Sequence, residues 1–337
     1  MINLDDYKFH LPGHLVAQKP AEPRDSAKLL LYSLKTGQIS DDYFYNLPKH
    51  LKKDASLVIN NTKVKKARLK FNTYEVFILE EVDDYTVWAL VFPGKKFRVG
   101  KSLNLNSDIT VEVLEVNGSG HRKLKFNKKL SDSIFDNFKL TPLPPYIKQD
   151  ESLADEYQTV FASGAEESLA APTAGLHFTD ELLDKVKLNH QIIELDLTVG
   201  LGTFANITED NIKNKKLHSE QFYINESSIL KLKAAKSLTA VGTTSVRALE
   251  SSGADFKTNS GSTDIFIYPG YKFHHVDSLI TNFHLPGTSL LLLVTALLAD
   301  KLSLGEPEAR RELLKIYSHG VKNKYRFFSF GDGMMIV

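Results

Sequence analysis

The stretch from residue 68 to 127 constrains this chain most, because nothing in it reads as a helix. Six short β-rich runs follow one another there: RLKF, YEVFILEEV, YTVWALVF, KSLNLN, ITVEVLEV and RKLKF. Turn signals separate them, among them Asp83-Asp84, Pro93-Gly94, Asn106-Ser107-Asp108 and Asn117-Gly118-Ser119-Gly120. Strands spaced by roughly 8 to 12 residues predict a small antiparallel barrel or sandwich. The region ends near LTPLPPY (140–146), where three prolines make a stiff connector.

The flanking sequence behaves differently, alternating strand and helix patterns. ASLVINNTKV (55–64) reads as a buried strand and turn. QIIELDLTV (191–199) places Ile193, Leu195, Leu197 and Val199 on one face. ESSILKLKAAK follows as a helix, LTAVGTT (238–244) as a strand, SVRALESS as a helix and STDIFIYPG as a strand. TSLLLLVTALLA and PEARRELLKIYSHGVKN read as helices. The expected fold is a mixed α/β core domain, residues 1–66 and 142–337, with an inserted all-β antiparallel barrel domain over 67–141. A length of 337 residues, 42% of them apolar, suits two domains.

Charge and composition exclude several classes. With 42 basic and 41 acidic residues, a nucleic-acid partner needs a local patch rather than a basic whole. The absence of cysteine rules out disulfides, thiolate catalysis and Cys-ligated zinc. MINLDDYKFHLPGHL lacks the pattern of a signal peptide. The longest apolar run, Leu290 to Ala299, is about half a membrane span. A cytoplasmic protein with no membrane contact is expected. His10 and His14 flank Pro12 and Gly13, and His274 and His275 are adjacent, so metal-ligand spacing is poor and no metal is expected. The GxGxxG, GxxxxGK[ST] and GxSxG fingerprints are missing, and VGLGTF (199–204) carries only a fragment of the first.

The chemistry-bearing turns lie where strands end. They are APTAGLHFT (171–179), VGLGTF, VGTTSVR (241–247), YPGY (268–271) and TNFHLPGTS (281–289). Open α/β sheets bind ligands at such ends, where helix N-termini present unpaired N–H groups. In VGTTSVR, Thr243 to Ser245 either cap a helix or hold a carboxylate, and Arg247 can fork onto an anion. Thr179 is an N-cap, with Asp180 and Glu181 in the first turn and Leu182, Leu183 and Val186 facing inward. His177 and His284 sit between apolar neighbours, as structural groups or as functional ones. His218 would share a face with Glu220 on a strand. Arginine is scarce, eight residues in all, and Arg24, Arg68, Arg247 and Arg326 fall in these stretches, where a planar fork would be wanted.

Taken together, PTAGLHFT, VGLGTF, HSE, VGTTSVRALES, TDIFIYPGY, LITNFHLP and YRFFSFGD resemble the S-adenosylmethionine:tRNA ribosyltransferase-isomerase family, as does the opening LP..LVAQKPAEPRDSAKLLL. The resemblance runs essentially end to end. It implies a step of queuosine biosynthesis: the ribosyl part of S-adenosylmethionine moves onto 7-aminomethyl-7-deazaguanine at the tRNA wobble position. Epoxyqueuosine forms while adenine and methionine leave. S-adenosylmethionine would be a consumed co-substrate, with no permanently bound cofactor, and a monomer is the favoured state. Carried over by motif, His177, His218 and His284 are the catalytic candidates, since a base near neutral pKa can take the proton that the sulfonium acidifies. Thr173, Gly175, Glu220, Thr243, Thr244, Arg247, Tyr268, Asn282 and Arg326 would bind substrate, with Gly175 letting backbone approach the ligand and His177 reaching it.

This chain departs from the family pattern at Thr198, where histidine is usual, and at Asn61 and Lys63 in NNTKV. The stretch between Leu69 and Glu75 also lacks the usual glycine-containing segment. Neither Asn61 nor Thr198 can serve as a base. Lys63, Lys65, Lys66, Arg68 and Lys70, with Lys322, Lys324 and Arg326, form candidate tRNA patches, the alternative being a solvated basic face. Two other readings remain: a non-catalytic tRNA-binding relative, and a methyltransferase, whose glycine-rich strand-turn-helix is absent.

Overall fold

Four strands rich in Val, Ile and Leu run parallel at the centre of the chain's larger sheet: Ile192–Leu197, Ala55–Asn60, Ser237–Val241 and Ser278–Asn282, in that spatial order. Every residue of Ala55–Asn60 and of Ser278–Asn282 is buried, as expected where helices cover both faces of a parallel sheet. This computed structural model describes residues 3–200 and 207–337. The described chain divides into two compact units.

The first unit comprises Met1–Lys63, Pro144–Lys148 and Asp155–Val337. Its nine-stranded sheet extends the parallel centre with Lys216–Tyr223 and Ser260–Ile265 on one side. Gly333–Ile336, Lys28–Tyr32 and Ile39–Tyr43 complete the other side. Gly333–Ile336 pairs antiparallel with Ser278–Asn282 and parallel with Lys28–Tyr32. The alternation read in QIIELDLTV holds: Ile193, Leu195, Leu197 and Val199 are all buried. Thr179 caps its helix, accepting from Leu182 N at 3.1 Å, and Leu182, Leu183 and Val186 are buried. The Ser289–Leu302 helix is buried from Leu291 to Ala299, which explains an apolar surface on every side.

One local expectation is corrected. LTAVGTT does not stay extended to Thr244. The strand stops at Val241, Gly242 turns the chain at φ +88°, and Thr243 and Thr244 open the Thr243–Ser251 helix. Gly is required here because an L side chain rarely adopts that φ. His218 and Glu220 both line one small cavity but differ in exposure. A register shift between Lys216 and Glu220, against Ser260–Ile265, leaves His218 exposed and Glu220 buried. Of VGLGTF, Val199 and Gly200 are described, and residues 201–204 lie outside the described residues.

The second unit, Val64–Leu143 with Gln149–Ala154, is a seven-stranded antiparallel sheet. All six sequence-read runs are strands, and Lys139–Leu140 adds a seventh at one edge, beside Arg68–Lys70. That two-residue strand directly precedes the proline connector, too short for a periodic signal. Register shifts at Ile78/Glu80 and Lys123/Leu124 curl the sheet. Val76, Val87, Ala89, Val113 and Leu124 fill its inner face.

One buried carboxylate organises a whole loop of the first unit. Glu250, at the end of the Thr243–Ser251 helix, accepts from the backbone N–H groups of His274 (2.9 Å), His275 (3.1 Å) and Val276 (3.2 Å). The Tyr271 hydroxyl donates to it as well, at 3.1 Å. Glu250→Gln keeps the shape but turns amide hydrogens toward some of these donors. It is expected to cost about 2–4 kcal/mol, as for a buried charge-assisted network, read as a lower urea midpoint. An unchanged midpoint would show that the 271–276 loop is held by packing alone.

Candidate functional site

The carboxyl ends of Ser237–Val241 and Ser278–Asn282 open into a cleft of about 140 Å³. Two helices begin on its wall, Thr243–Ser251 after Gly242 and Ser289–Leu302 after Thr288. Neither start carries a side-chain cap. Their free N–H groups therefore bring the positive ends of two helix dipoles to one place. Tyr146, Phe328 and Ser329 also line the cleft. The Tyr146 hydroxyl meets Ser329 Oγ at 2.7 Å, its ring packs on Phe328 at 4.7 Å, and burial pushes its phenol up to about 12.

Asn282 is the fixed point of the cleft. Its Nδ2 donates to Phe328 O at 3.2 Å, and because that carbonyl can only accept, the amide cannot be turned round. Nδ2 also lies 3.1 Å from His177 Nε2, which must accept, so the His177 proton sits on Nδ1. Oδ1 accepts from Thr173 Oγ1 at 3.1 Å. All bonds of the amide are engaged.

The candidate histidines separate clearly. His177 closes the short Thr173–His177 helix, is buried beneath Phe44 at 4.7 Å and does not line the cleft. The expectation that it reaches the ligand is corrected: it stands behind Asn282. Burial, then the charge of Arg326, holds its imidazole down to about 3. His284 does line the cleft, with Nε2 3.0 Å from Thr281 Oγ1, and burial lowers it also to about 3. Neither has the near-neutral pKa expected of it. Gly175 is likewise reassigned. A Cβ there would lie 2.5 Å from Phe161 Cζ and 2.8 Å from Thr159 Cγ2, so the glycine serves core packing, not a ligand.

The arginines use their forks inside the fold. Arg247 is buried and paired with Glu220, whose Oε1 accepts from Gly200 N at 3.0 Å. With Thr243, Thr244 and His218 these two residues line a smaller cavity of about 30 Å³, which shares Thr243, Thr244, Ser289 and Leu290 with the main cleft. Arg326 holds Asp332 through Nε (3.3 Å) and Nη2 (3.1 Å) rather than lining the cleft. Arg24 clamps Glu156 at 3.0 Å and the carbonyls of Asp155 and Gln158. Tyr268 lies outside the cleft, half-buried against Phe266.

Each member of the 63–68 basic run faces a carboxylate. Lys63 meets Glu166 at 3.1 Å, Lys65 meets Glu81 at 3.5 Å, and Lys66 meets Glu151 at 4.0 Å. Arg68 is bidentate to Glu75 and donates to Gln149. Asn61 and Thr198 line another cavity, at the carboxyl ends of Ala55–Asn60 and Ile192–Leu197, beside Glu167, Glu194 and Asp196. Asn61 Nδ2 donates to Glu194 at 3.0 Å, and burial, then Glu167, raises the Asp196 carboxyl. Among the described residues no cluster of three or more His, Asp or Glu could hold a metal ion. Sequence reasoning missed Tyr146, Thr281, Thr288 and Phe328. Thr288 carried a usable signal, a hydroxyl residue just before an apolar helix.

Comparison with known proteins gives a consistent result. The sequence model described as queuosine biosynthesis protein matches residues 4–336. A protein of Fusobacterium nucleatum subsp. nucleatum is 43% identical over 99% of this chain and 96% of its own length. One of Sulfurihydrogenibium sp. is 42% identical over 100% of both. Both are named S-adenosylmethionine:tRNA ribosyltransferase-isomerase. The crystal structure of the S-adenosylmethionine tRNA ribosyltransferase of Thermotoga maritima superposes with a TM-score of 0.55 at 31% identity. It covers 98% of this chain and 100% of that one.

The buried histidines have a measurable signature. Their folded pKa values, about 3, lie below the ordinary 6.5, so the unfolded chain binds protons that the folded chain refuses. Stability is therefore full above pH 6.5 and is lost as pH falls toward 3. Each histidine should contribute about 1.4 kcal/mol per pH unit across that window. Urea unfolding at a series of pH values should show His177→Gln losing one such share. An identical slope in the variant would mean that His177 is protonated in the folded protein.

Proposed function

The chain belongs to the queuosine biosynthesis protein family, and from that membership we propose that it is a tRNA-modifying transferase whose reaction takes place in the cleft around Asn282. The ribosyl part of S-adenosylmethionine is transferred to 7-aminomethyl-7-deazaguanine at the tRNA wobble position and isomerised, leaving epoxyqueuosine, adenine and methionine. What carries the reading is the convergence, at the carboxyl ends of two parallel strands, of His284, the locked Asn282–Thr173 pair and two uncapped helix starts.

Each part has a task in that chemistry. The aromatic wall of Tyr146 and Phe328 offers a face on which adenine or the target base can stack. His284, neutral because it is buried, lines the cleft where its ring can hydrogen-bond the reacting substrate. Asn282 and Thr173 position the reacting sugar, and His177 acts through Asn282 as a positioning residue. S-adenosylmethionine serves as co-substrate, and none of these roles calls for a metal. We read the seven-stranded sheet as an inserted barrel domain and the protein as a cytoplasmic monomer. Lys63, Lys65, Lys66 and Arg68 are read as tRNA-binding groups that exchange their carboxylate partners for phosphates.

Incubation with labelled S-adenosylmethionine and precursor-bearing tRNA tests the reaction. Free adenine and methionine are expected. S-adenosylhomocysteine would instead mark methyl transfer, and no product a non-catalytic binder. His284→Gln should lower turnover by roughly 10²-fold or more with the melting temperature maintained. Full turnover in that variant would remove His284 from the mechanism.

The tRNA surface is tested separately. Removing one cation that pairs with a phosphate should reduce the slope of log affinity against log salt by about 0.7 to 0.9. Replacing Lys65 and Lys66 by alanine should therefore flatten it measurably. An unaltered slope would place the tRNA elsewhere.

A further inference from the structure

Two buried polar groups on residues that line the small cavity beside the cleft meet no hydrogen-bond partner among the described residues: Thr244 Oγ1 and Arg247 Nε. Both residues are only 7% exposed, and both line the cavity. Buried polar groups are almost always satisfied, so two orphans on one wall point to something they are built to receive. Thr244 stands in the first turn of the nine-residue Thr243–Ser251 helix, whose start carries no side-chain cap. The wall thus offers a hydroxyl, a guanidinium N–H and a positive helix end together. That set of donors suits a carboxylate.

The opposite sign is present as well. Glu220 is buried at the same cavity, already accepting from Arg247 and from Gly200 N. A cavity lined by both donors and a carboxylate complements a zwitterion. Its volume of about 30 Å³ admits a group of carboxylate size, not a nucleoside. Thr243, Thr244, Ser289 and Leu290 form its boundary with the main cleft, so a ligand can occupy both at once.

We propose that this cavity holds the α-amino acid end of S-adenosylmethionine, with Thr244 Oγ1 and Arg247 Nε donating to its carboxylate and Glu220 facing its ammonium. The inference rests on the reading of the main cleft as the S-adenosylmethionine site and adds where the amino acid end lies. It also gives Arg247 a double role. Nη1 holds Glu220 in place, Nη2 donates to the His218 carbonyl, and Nε is left for substrate.

Thr244→Val is the informative variant, because it removes only the orphaned hydroxyl. Losing an unsatisfied buried hydroxyl should leave the melting temperature of the free protein unchanged or slightly raised. Calorimetric titration should nevertheless show S-adenosylmethionine bound roughly ten- to hundredfold more weakly. Decarboxylated S-adenosylmethionine keeps the sulfonium and the amine. It should bind the unaltered protein weakly and be insensitive to Thr244→Val. Thr244→Ser should restore the affinity for S-adenosylmethionine.

Equal losses for both compounds, or none for either, would overturn the assignment. So would an unaltered protein that binds both compounds equally tightly. An unaltered protein that bound neither compound would instead overturn the reading of the main cleft, and this assignment with it.

Discussion

A single side-chain amide joins three distant parts of the chain. Asn282, at the end of a central strand, donates to Phe328 O and to His177 Nε2 while accepting from Thr173. The turn at 173–177, the sheet and the segment near 328 therefore share one set of hydrogen bonds. Because Phe328 O fixes the amide orientation, it also fixes the tautomer of His177 and the direction of the Thr173 hydroxyl. In a buried site no water can replace a missing partner, so the network is complete or it is costly. Much of the cleft's rigidity follows from this arrangement, and none of it requires a charged group.

Charge is handled differently, by pairing arginine with acceptors inside the protein. The scarcity of arginine correctly marked positions where a planar fork matters. Arg24, Arg68, Arg247 and Arg326 all make bidentate or multiple bonds. Their partners, however, are Glu156, Glu75, Glu220 and Asp332, not external anions. A sequence shows the fork but not the carboxylate folded against it, since each partner arrives from elsewhere in the chain. Arg247 alone of the four keeps a buried N–H unpaired.

Features governed by near neighbours were legible. The Thr179 cap, the alternation in QIIELDLTV, the six β runs and the apolar Ser289–Leu302 helix all depend on residues within a few positions. What could not be read depended on tertiary context. Two-residue spacing gave no sign that His218 would be exposed and Glu220 buried, beside a register shift against Ser260–Ile265. Gly175 suggested access for a ligand, whereas Phe161 and Thr159, packed from another segment, explain it. His177 was legible as a histidine at a helix entry but not its depth behind Asn282, which is set by Phe44 and the sheet. Tyr146 was hidden by its prolines, which read as a connector and not as a cleft wall.

The place of Gly333–Ile336 has a consequence for how the protein is made. This strand lies between Ser278–Asn282 and Lys28–Tyr32, yet it follows every other strand in chain order. During synthesis the Lys28–Tyr32 and Ile39–Tyr43 hairpin has no sheet to join until Gly333–Ile336 has emerged. The carbonyl of Phe328 that locks Asn282 arrives equally late. Closing a gap of roughly three hundred residues is slow, and long-range pairing of this kind leaves apolar strand edges uncovered meanwhile. A chain cut short before Phe328 would lose the staple between its two sheet halves along with the bond that orients Asn282. Arrival of this segment and completion of the cleft are thus linked.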